Sequence, residues 1–467
     1  MGETGLRLPE PRIAPPLEPE FRPAVLANHT FLQEVKASGA GLPLRIALER
    51  GGGAISVYET SVFPPGHPSA ARNFPYVERL VKTLLWQRGG WRVVVGGPEE
   101  IGAFVKKTYG PGGERAWDAE FMGGVYEQPF TVEVTTPEKV PSAREETVAI
   151  GRHLEGCRIG FDAGASDRKV AAVIDGESVY SEEVPWDPRN QKDPEYHYQH
   201  ITSALKSAAA HLPRVDAIGV SAAGIYINNR VAVASLFRGV PKDLFEAKVK
   251  DMFLRIKKEW GDVPLEVVND GEVTALAGSM SLEANCVLGI AMGSSEAAGY
   301  VNEEGNLTGW LNELAFVPID FNPNGPVDEW SNDRGVGSQY FSQQAVIRLA
   351  PRANIALEAS KPPADQLVEV QDLMAKGDER AAAIFESIGC YTGYGVAHYA
   401  DFYDIRHVLI LGRVTSGEGG NIVLAKAREV LREEFPALHS TIALHLPDEK
   451  SRRVGQAVAA ASLAEVK

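Results

Sequence analysis

The chain has 467 residues, a net charge of −15 and a hydrophobic fraction of 44%, which is ordinary for a globular protein of two or three domains. The acidic balance argues against a general binder of nucleic acid or anionic membranes, because no basic excess exists to hold phosphates. The three cysteines are sparse, and neither a signal peptide nor a membrane-spanning stretch is evident in the sequence, so we predict a cytoplasmic protein.

The first part of the chain is predicted to form an arm and a small domain. Residues 1–43 are rich in proline and have no periodicity, which predicts an extended arm. Residues 44–152, the N-terminal module, are predicted to form a small α/β domain of unknown role. Its predicted elements are strands at 44–49, 54–63 and 91–95 and helices at 76–85 and 98–109. The module has no helix-turn-helix pattern, which argues against DNA recognition.

Two further units are predicted, a first lobe at 157–284 and a second lobe at 285–467. Each begins with a strand, a polar turn and a returning strand and continues with helices and strands, which predicts a two-lobed α/β protein with a cleft between the lobes. The last predicted helix, at about 451–466, is a candidate to pack back on the first lobe. The other helices predicted in the lobes are at 198–211, 242–260, 271–281, 337–352, 364–400 and 422–432.

Two turns of small residues follow predicted strands and can approach phosphates. In the segment FDAGASDRK, Asp162 ends a strand and is followed by Gly164 and Ser166. Backbone amides and a hydroxyl in such a hairpin can lie close to an anion, and Asp162 can hold a hydrated Mg²⁺. The second turn is Gly293–Ser295 in the segment GIAMGSSEAAGY. An ordinary hairpin turn is the alternative interpretation of the first.

Three other positions are candidates for chemistry. In VVNDGEVTALAG, an apolar strand leads to Asp270 at a helix start, where a carboxylate can accept a proton from a substrate hydroxyl or can simply be the helix N-cap. Glu313 lies in an otherwise apolar stretch, so its charge needs partners such as substrate hydroxyls or a structural arginine. The polar loop after Gly412 either lies near an adenine ring or ribose, or is a tight connection between a strand and a helix.

From about Cys157 to Leu463, the order of these motifs resembles the ROK family of sugar kinases and sugar-responsive repressors, within the actin-like ATPase superfamily. The most specific match is Asn269–Ala277, which is similar to the family's N-D-x-x-x-x-A-L-A segment. Phe161–Ser166 resembles the first phosphate turn, and Asn312–Phe316 lies at the sugar-binding G-E-x-G-H segment. The resemblance implies a two-lobed α/β fold of the ribonuclease H-like class, here with the N-terminal module added.

The resemblance also implies a role for each matched residue. Asp270 would be the general base, and Asn269 and Glu313 would hold sugar hydroxyls. The γ-phosphate of ATP and its Mg²⁺ would face Asp162, Gly164 and Ser166. The other phosphates and the adenosine would be held by Gly293, Ser294, Ser295, Gly412 and Arg413. The implied function is ATP- and Mg²⁺-dependent phosphorylation of a hydroxyl on a hexose or related polyol, with no nucleic-acid or membrane partner. A homodimer is compatible with the resemblance.

The sequence departs from the family pattern at several positions. Phe316 replaces the family's histidine, and residues 234–239 lack its sugar-contacting asparagine. Residues 320–339 contain no cysteine, so we expect no zinc site. Glu296 follows the second turn, where a carboxylate would repel ATP phosphates. One alternative is therefore a catalytically silent sugar- or nucleotide-binding protein of the same fold. Another is a different actin-like ATPase, such as an activator or acyl-phosphate kinase.

Overall fold

The structure, a computed structural model, describes residues 5–145, 150–164, 166–447 and 449–466. Parts of three predicted segments lie outside these residues: the start of the arm, the end of the N-terminal module at 146–149, and Ala165 in the first turn. The strands are β1 Leu42–Glu49, β2 Ile55–Val62, β3 Arg92–Gly96, β4 Thr131–Thr135, β5 Cys157–Ala163, β6 Asp167–Ile174, β7 Glu177–Pro185, β8 Ala217–Ala222, β9 Ile225–Ile227, β10 Arg230–Val233, β11 Leu265–Asn269, β12 Val287–Met292, β13 Glu296–Val301, β14 His407–Leu411 and β15 Ala443–His445.

The same described residues also form the helices of the protein. They are α1 Ala24–Ala37, α2 Asn73–Arg88, α3 Glu99–Thr108, α4 Ala116–Tyr126, α5 Pro194–Ala209, α6 Lys242–Leu244, α7 Met252–Glu259, α8 Asp270–Leu282, α9 Gln343–Leu349, α10 Pro363–Ala375, α11 Glu379–Tyr399, α12 Glu418–Glu434, α13 Pro436–Thr441 and α14 Glu449–Ala461. Among the described helices, none combines the length and the apolar character that a membrane crossing would require.

The chain divides into two compact units. Unit 1 consists of Met1–Glu146, Ile290–Ala297 and Trp310–Leu446. Unit 2 consists of Thr147–Gly289, Ala298–Gly309 and Pro447–Lys467. The N-terminal module therefore shares a compact unit with most of the predicted second lobe, an arrangement that the composition of the module did not indicate.

Unit 2 is built on a five-stranded sheet in the order β11-β8-β5-β6-β7. Strands β5, β6 and β7 are antiparallel neighbours, and β8 and β11 run parallel to β5. Helix α14 packs directly on this sheet, because a Cβ on Gly160 would lie 1.8 Å from the carbonyl oxygen of Ala457, and one on Gly219 would lie 1.6 Å from that of Ala460. Glycine at both positions lets the helix and the strands approach closely. Apolar side chains of α5 and α7 belong to the main core of this unit.

Unit 1 contains the sheet of the N-terminal module, in the order β2-β1-β3-β4. Strand β1 pairs antiparallel with β2 and β3, and β4 runs parallel to β3. Helix α2 is almost wholly buried over its last three turns. Strands β14 and β15, which are parallel, belong to another four-stranded sheet in the order β13-β12-β14-β15. The fold class predicted from the sequence, α/β with a ribonuclease H-like sheet, is confirmed.

Several predicted elements are wrong in detail. The extended arm is interrupted by α1, which buries Phe31 and Val35 although prolines precede it. The helix predicted at 242–260 is broken into α6, a π-helical turn at Phe245–Val249, and α7. The helix predicted at 364–400 is two helices, since Gly377 has a φ of 80° and Asp378 caps α11. Only Gln343–Leu349 is α-helical in the stretch 337–352.

Candidate active site

Asp270 lies where β11 ends and α8 begins. The N-cap of α8 is Asn269, whose side-chain oxygen accepts a hydrogen bond from the Gly271 amide at 2.8 Å. The Asn269 amide nitrogen donates to the carbonyl oxygen of Gly224 at 2.7 Å. The alternative interpretation of Asp270 as the helix cap is therefore wrong. Its carboxylate contacts only the adjacent Gly271 amide, at 3.0 Å, among the described hydrogen bonds.

Asp270 shares one end of the unit 2 sheet with Asp162. The register places Asp162 opposite Ser221 of β8, and Ser221 opposite Val268 of β11. The Ser221 hydroxyl donates a hydrogen bond to Asp162 at 2.8 Å. Both carboxylates therefore lie at the carboxyl ends of parallel strands, where ligands of open α/β sheets bind. Neighbouring strands in such a sheet lie about 4.8 Å apart. We call this set, Asp162, Ser221, Asn269 and Asp270, the strand-end site.

The pKa values of both carboxyl groups in the strand-end site are raised. Burial and then the charge of Asp162 raise the pKa of Asp270 to about 6. Burial also raises the pKa of Asp162, against the opposing effects of the Ser221 hydroxyl and of Lys169. A carboxyl with a pKa near 6 is ionised at neutral pH but is more basic than an ordinary aspartate, which suits a group that takes a proton from a hydroxyl.

The first predicted phosphate turn also lies at this end of unit 2. The Trp186 indole N–H donates to the carbonyl oxygen of Gly164 at 2.8 Å, and the Trp186 amide donates to that of Ser166 at 3.1 Å. The turn is thus anchored by the residue that follows β7. The exposed Ser166 hydroxyl donates to the Asp167 carboxylate at 2.9 Å. The predicted contact of Gly164 and Ser166 with a phosphate stays a prediction.

The second predicted turn lies in unit 1 beside Gly412. Ser294 and Ser295 are exposed, and the Gly293 amide donates to the carbonyl oxygen of Ser295 at 3.0 Å. Gly412 has a φ of 103°, and a Cβ there would lie 2.4 Å from the carbonyl oxygen of Met292. Only glycine fits such a contact. The structure thus brings the ends of β12 and β14 together, and Arg413, which follows, is exposed.

The structure contradicts the expectation of a repulsive carboxylate at the second turn. Glu296 is 4% exposed, and the Tyr399 hydroxyl donates to its Oε1 atom at 3.2 Å. Burial raises the pKa of Glu296 to about 8, so the group is mostly uncharged at neutral pH. Its side chain is buried within unit 1 instead of sharing the exposure of Ser294 and Ser295.

The segment that contains Glu313 and Phe316 is held by the N-terminal module. Three backbone amides of this segment donate to the last carbonyls of α2: Leu311 to Arg88, Asn312 to Gln87 and Glu313 to Trp86, at 3.3, 2.8 and 3.0 Å. The Phe316 ring packs against Trp86, with ring centroids 4.2 Å apart. The resemblance places a histidine at position 316, and the structure places the Phe316 ring in an aromatic cluster with Trp86 and Trp117. Contacts between residues more than 200 positions apart gave no signal in the sequence.

Two arginines near Asp270 were missed by the sequence analysis. Arg189 follows β7, and Arg238 follows β10. The charges of Arg189 and Asp270 act on each other, as do those of Arg189 and Arg238. No motif of the resemblance includes either residue. The described residues contain no group of three or more His, Cys, Asp or Glu side chains arranged to hold a metal ion.

No family model matches the sequence, and no curated protein matches it. Among solved structures, the ROK hexokinase from Thermus thermophilus is similar, with 19% sequence identity and a TM-score of 0.50 over 65% of this chain and 97% of that chain. A ROK family transcriptional regulator, a homolog of the E. coli MLC protein, has 18% identity and a TM-score of 0.50 over 66% of this chain and 78% of that one. Identities this low show only the fold. The chain therefore has the α/β fold that the ROK hexokinase and the ROK regulator share.

Proposed function

We propose that this protein is an ATP-dependent kinase that phosphorylates a hydroxyl group of a sugar. The observation that carries the proposal is Asp270 itself, a carboxylate with a pKa of about 6 that no helix cap or ion pair uses, at the carboxyl end of the sheet beside Asp162. The likeness in fold to a ROK hexokinase supports the reaction class. The strand-end site supplies the base that such a reaction needs.

In the proposed reaction, Asp270 accepts the proton of the sugar hydroxyl while the hydroxyl oxygen forms a bond to the γ-phosphorus of ATP. The bond between that phosphorus and the β,γ-bridging oxygen breaks, and ADP leaves with the electron pair. Phosphoryl transfer of this kind depends mainly on positioning and on neutralising charge. Mg²⁺, when bound, would neutralise phosphate charge, and Asp162 fits it because hydrated Mg²⁺ takes only one or two protein carboxylates.

The remaining assignments are part of the same proposal. The side-chain oxygen and one N–H of Asn269 already form hydrogen bonds within the protein, which holds the adjacent Asp270 in position. The second N–H of the Asn269 side chain is assigned to a sugar hydroxyl. Glu313 accepts hydrogen bonds from sugar hydroxyls. The phosphates and adenosine of ATP are assigned to Gly164, Ser166, Gly293, Ser294, Ser295, Gly412 and Arg413.

A catalytically silent sugar-binding protein is the second candidate. The likeness in fold to a ROK transcriptional regulator favours it, as does Phe316, whose ring packs against Trp86 where the resemblance places a polar histidine. The buried position of Glu296 removes the argument from charge repulsion. The two candidates differ in whether ATP is consumed.

The test measures ADP release by the full chain with Mg-ATP and a panel of hexoses and polyols. We expect at least one sugar to be phosphorylated and Asp270→Asn to lower kcat roughly 10²- to 10⁴-fold, the usual contribution of a general base. The matched control is Asp262→Asn, which alters an exposed aspartate of unit 2 in a left-handed turn that asparagine tolerates. Sugar binding without phosphorylation would establish the silent protein, and an unaffected Asp270→Asn variant would exclude the proposed base.

A further inference from the structure

The two arginines near Asp270 lie on two loops, and one histidine side chain forms hydrogen bonds to both loops. The Nε2–H of the buried His197 donates to the carbonyl oxygen of Pro188 at 2.9 Å and to that of Leu236 at 3.0 Å. Pro188 immediately precedes Arg189, and Leu236 lies two residues before Arg238. The shared donor therefore fixes the two arginine-bearing loops against each other.

A second contact places the two arginine backbones side by side. A Cβ on Gly239 would lie 2.8 Å from the carbonyl oxygen of Arg189 and 2.6 Å from that of Gln191. The backbone just after Arg238 therefore touches the backbone of Arg189. Because only glycine fits this contact, we conclude that the close approach of the two loops is built into the sequence.

The same loops adjoin the strand-end site. A Cβ on Gly224 would lie 2.6 Å from the Cβ of Ala234, at the start of the segment that carries Arg238. The carbonyl oxygen of Gly224 accepts the hydrogen bond from Asn269, the residue before Asp270. All of these residues belong to unit 2. Asp270, Arg189 and Arg238 thus occupy one end of one compact unit.

Neither arginine has the carboxylate partner that such a side chain usually finds. Among the described residues, Arg189 and Arg238 form no ion pair, and the buried Nε–H of Arg189 has no hydrogen-bond acceptor. Burial and the charge of Arg238 lower the pKa of Arg189, and Asp270 is the acidic group that acts in the other direction. Two adjacent like charges and a buried unpaired donor both destabilise a folded protein. An anionic ligand would relieve the repulsion between the two charges, of which Arg238 is exposed and Arg189 is partly buried.

We propose that Arg189 and Arg238 bind an anionic group, a carboxylate or a phosphate, on the sugar whose hydroxyl reacts at Asp270. This inference rests on the proposed function and narrows its substrate class to sugar acids or sugar phosphates. Guanidinium groups suit the role because they bind carboxylate and phosphate oxygens in a bidentate manner. Residues 234–239, which lack the sugar-contacting asparagine of the resemblance, are the ones that supply Arg238.

The experiment compares the binding of four probes to the full chain by titration calorimetry: glucose, gluconate, glucuronate and glucose 6-phosphate. We expect at least one acidic probe to bind about tenfold more tightly than glucose. The Arg189→Gln/Arg238→Gln variant should weaken that probe by about 10- to 100-fold. Its affinities for glucose and for Mg-ATP should be unchanged. The carboxylate and phosphate probes identify which anion the site takes.

The control variant is Arg255→Gln, which removes a positive charge from an exposed position on α7 of the same unit. It should leave the affinity for every probe unchanged. The double glutamine variant should keep or raise the melting temperature, because it relieves charge repulsion, and this rules out misfolding as the cause of lost binding. Glucose binding as tightly as every acidic probe would overturn the inference. Weaker Mg-ATP binding by the double variant, with acidic probes unaffected, would also overturn it.

The outcomes also separate this inference from the kinase proposal. Arginine-dependent binding of an acidic probe without phosphorylation would support the anion site and exclude the proposed kinase activity. Phosphorylation of neutral sugars with no dependence on the two arginines would leave the kinase standing and exclude the anion site.

Discussion

The molecule contains two groups of charged side chains that differ in how completely they are paired. The first, which we call the module cluster, consists of Glu78, Arg79, Lys82, Arg115, Asp118 and Asp333. Lys82 is 0% exposed and lies 2.8 Å from the Asp118 carboxylate and 3.1 Å from that of Asp333. The second group is Asp270 with Arg189 and Arg238, which form no ion pair within 4.0 Å among the described residues.

The charges of the module cluster support the fold, whereas Asp270 and the two arginines lack ion-pair partners among the described residues. Desolvating a charge costs several kcal/mol, and close opposite charges with good hydrogen bonds offset this cost within the protein. The module cluster meets that condition, so it needs no ligand. Asp270 and Arg189, whose pKa values burial shifts, have no such pairing, and groups held at such a cost are typical of functional sites.

The module cluster also explains how one loop is held. Asp333 belongs to the stretch 320–339, where the resemblance would place a cysteine-rich zinc segment. Here Asp333 lies 3.0 Å from Arg79 and 3.0 Å from Arg115, besides its contact with Lys82. Ion pairs with the N-terminal module therefore fasten this loop to α2, within unit 1.

The largest stability effect should come from breaking the module cluster. Lys82→Met would leave Asp118 and Asp333 buried with one partner fewer, so we expect the free energy of unfolding to fall by about 3–5 kcal/mol. Urea titration measures this change. Lys361→Met, at an exposed pair with Glu369, is the matched control. A loss below 1 kcal/mol for Lys82→Met would mean that the cluster is not structural.

The pH dependence of activity tests the other group. Because the pKa of Asp270 is raised to about 6, its base form is lost as the pH falls through that value. We expect kcat/KM to be nearly constant above about pH 7 and to approach a tenfold loss per pH unit below about pH 5. A profile that is flat down to pH 4.5 would show that the pKa of Asp270 is that of an ordinary aspartate. The group around Asp270 would then not differ from the module cluster in the way described above.

Substitution of Glu296 should have a smaller effect on stability, and this effect should depend on pH. Its pKa is raised to about 8 in the folded chain, so the folded state holds a proton that the unfolded state releases above its own pKa near 4.5. The stability linked to this proton is fully present below pH 4.5 and is lost as the pH rises towards 8. Glu296→Gln should therefore gain melting temperature relative to the wild type between pH 5 and pH 8. A difference that does not change with pH would contradict the buried, protonated state.

The smallest effect should come from an exposed ion pair. Arg380 lies 2.6 Å from Asp378, but the arginine side chain is 52% exposed. Arg380→Ala should leave the free energy of unfolding almost unchanged, because water screens the pair. Thermal unfolding measures it. A change as large as that of Lys82→Met would show that pairing alone, and not pairing combined with burial, distinguishes the module cluster.

The local elements of the site could be predicted from the amino-acid sequence. An apolar run followed by Asn269 and Asp270 predicted the end of β11 and the start of α8, and FDAGAS predicted the hairpin of β5 and β6; both are present. The α/β class followed from the order of such elements, and the ribonuclease H-like class from the family resemblance. Hydrophobic period, turn residues and helix starts are local properties, because each depends on residues within a few positions of one another.

The contacts between distant residues became visible only in the folded structure. The hydrogen bond from Asn269 to Gly224, the burial of Glu296 against Tyr399, and the loops joined by His197 all connect segments that are far apart in the chain. The N-terminal module gave no sign in the sequence that it packs against Glu313. Burial, pairing and pKa depend on these contacts, which the packing of whole elements creates, and so no local pattern could predict them.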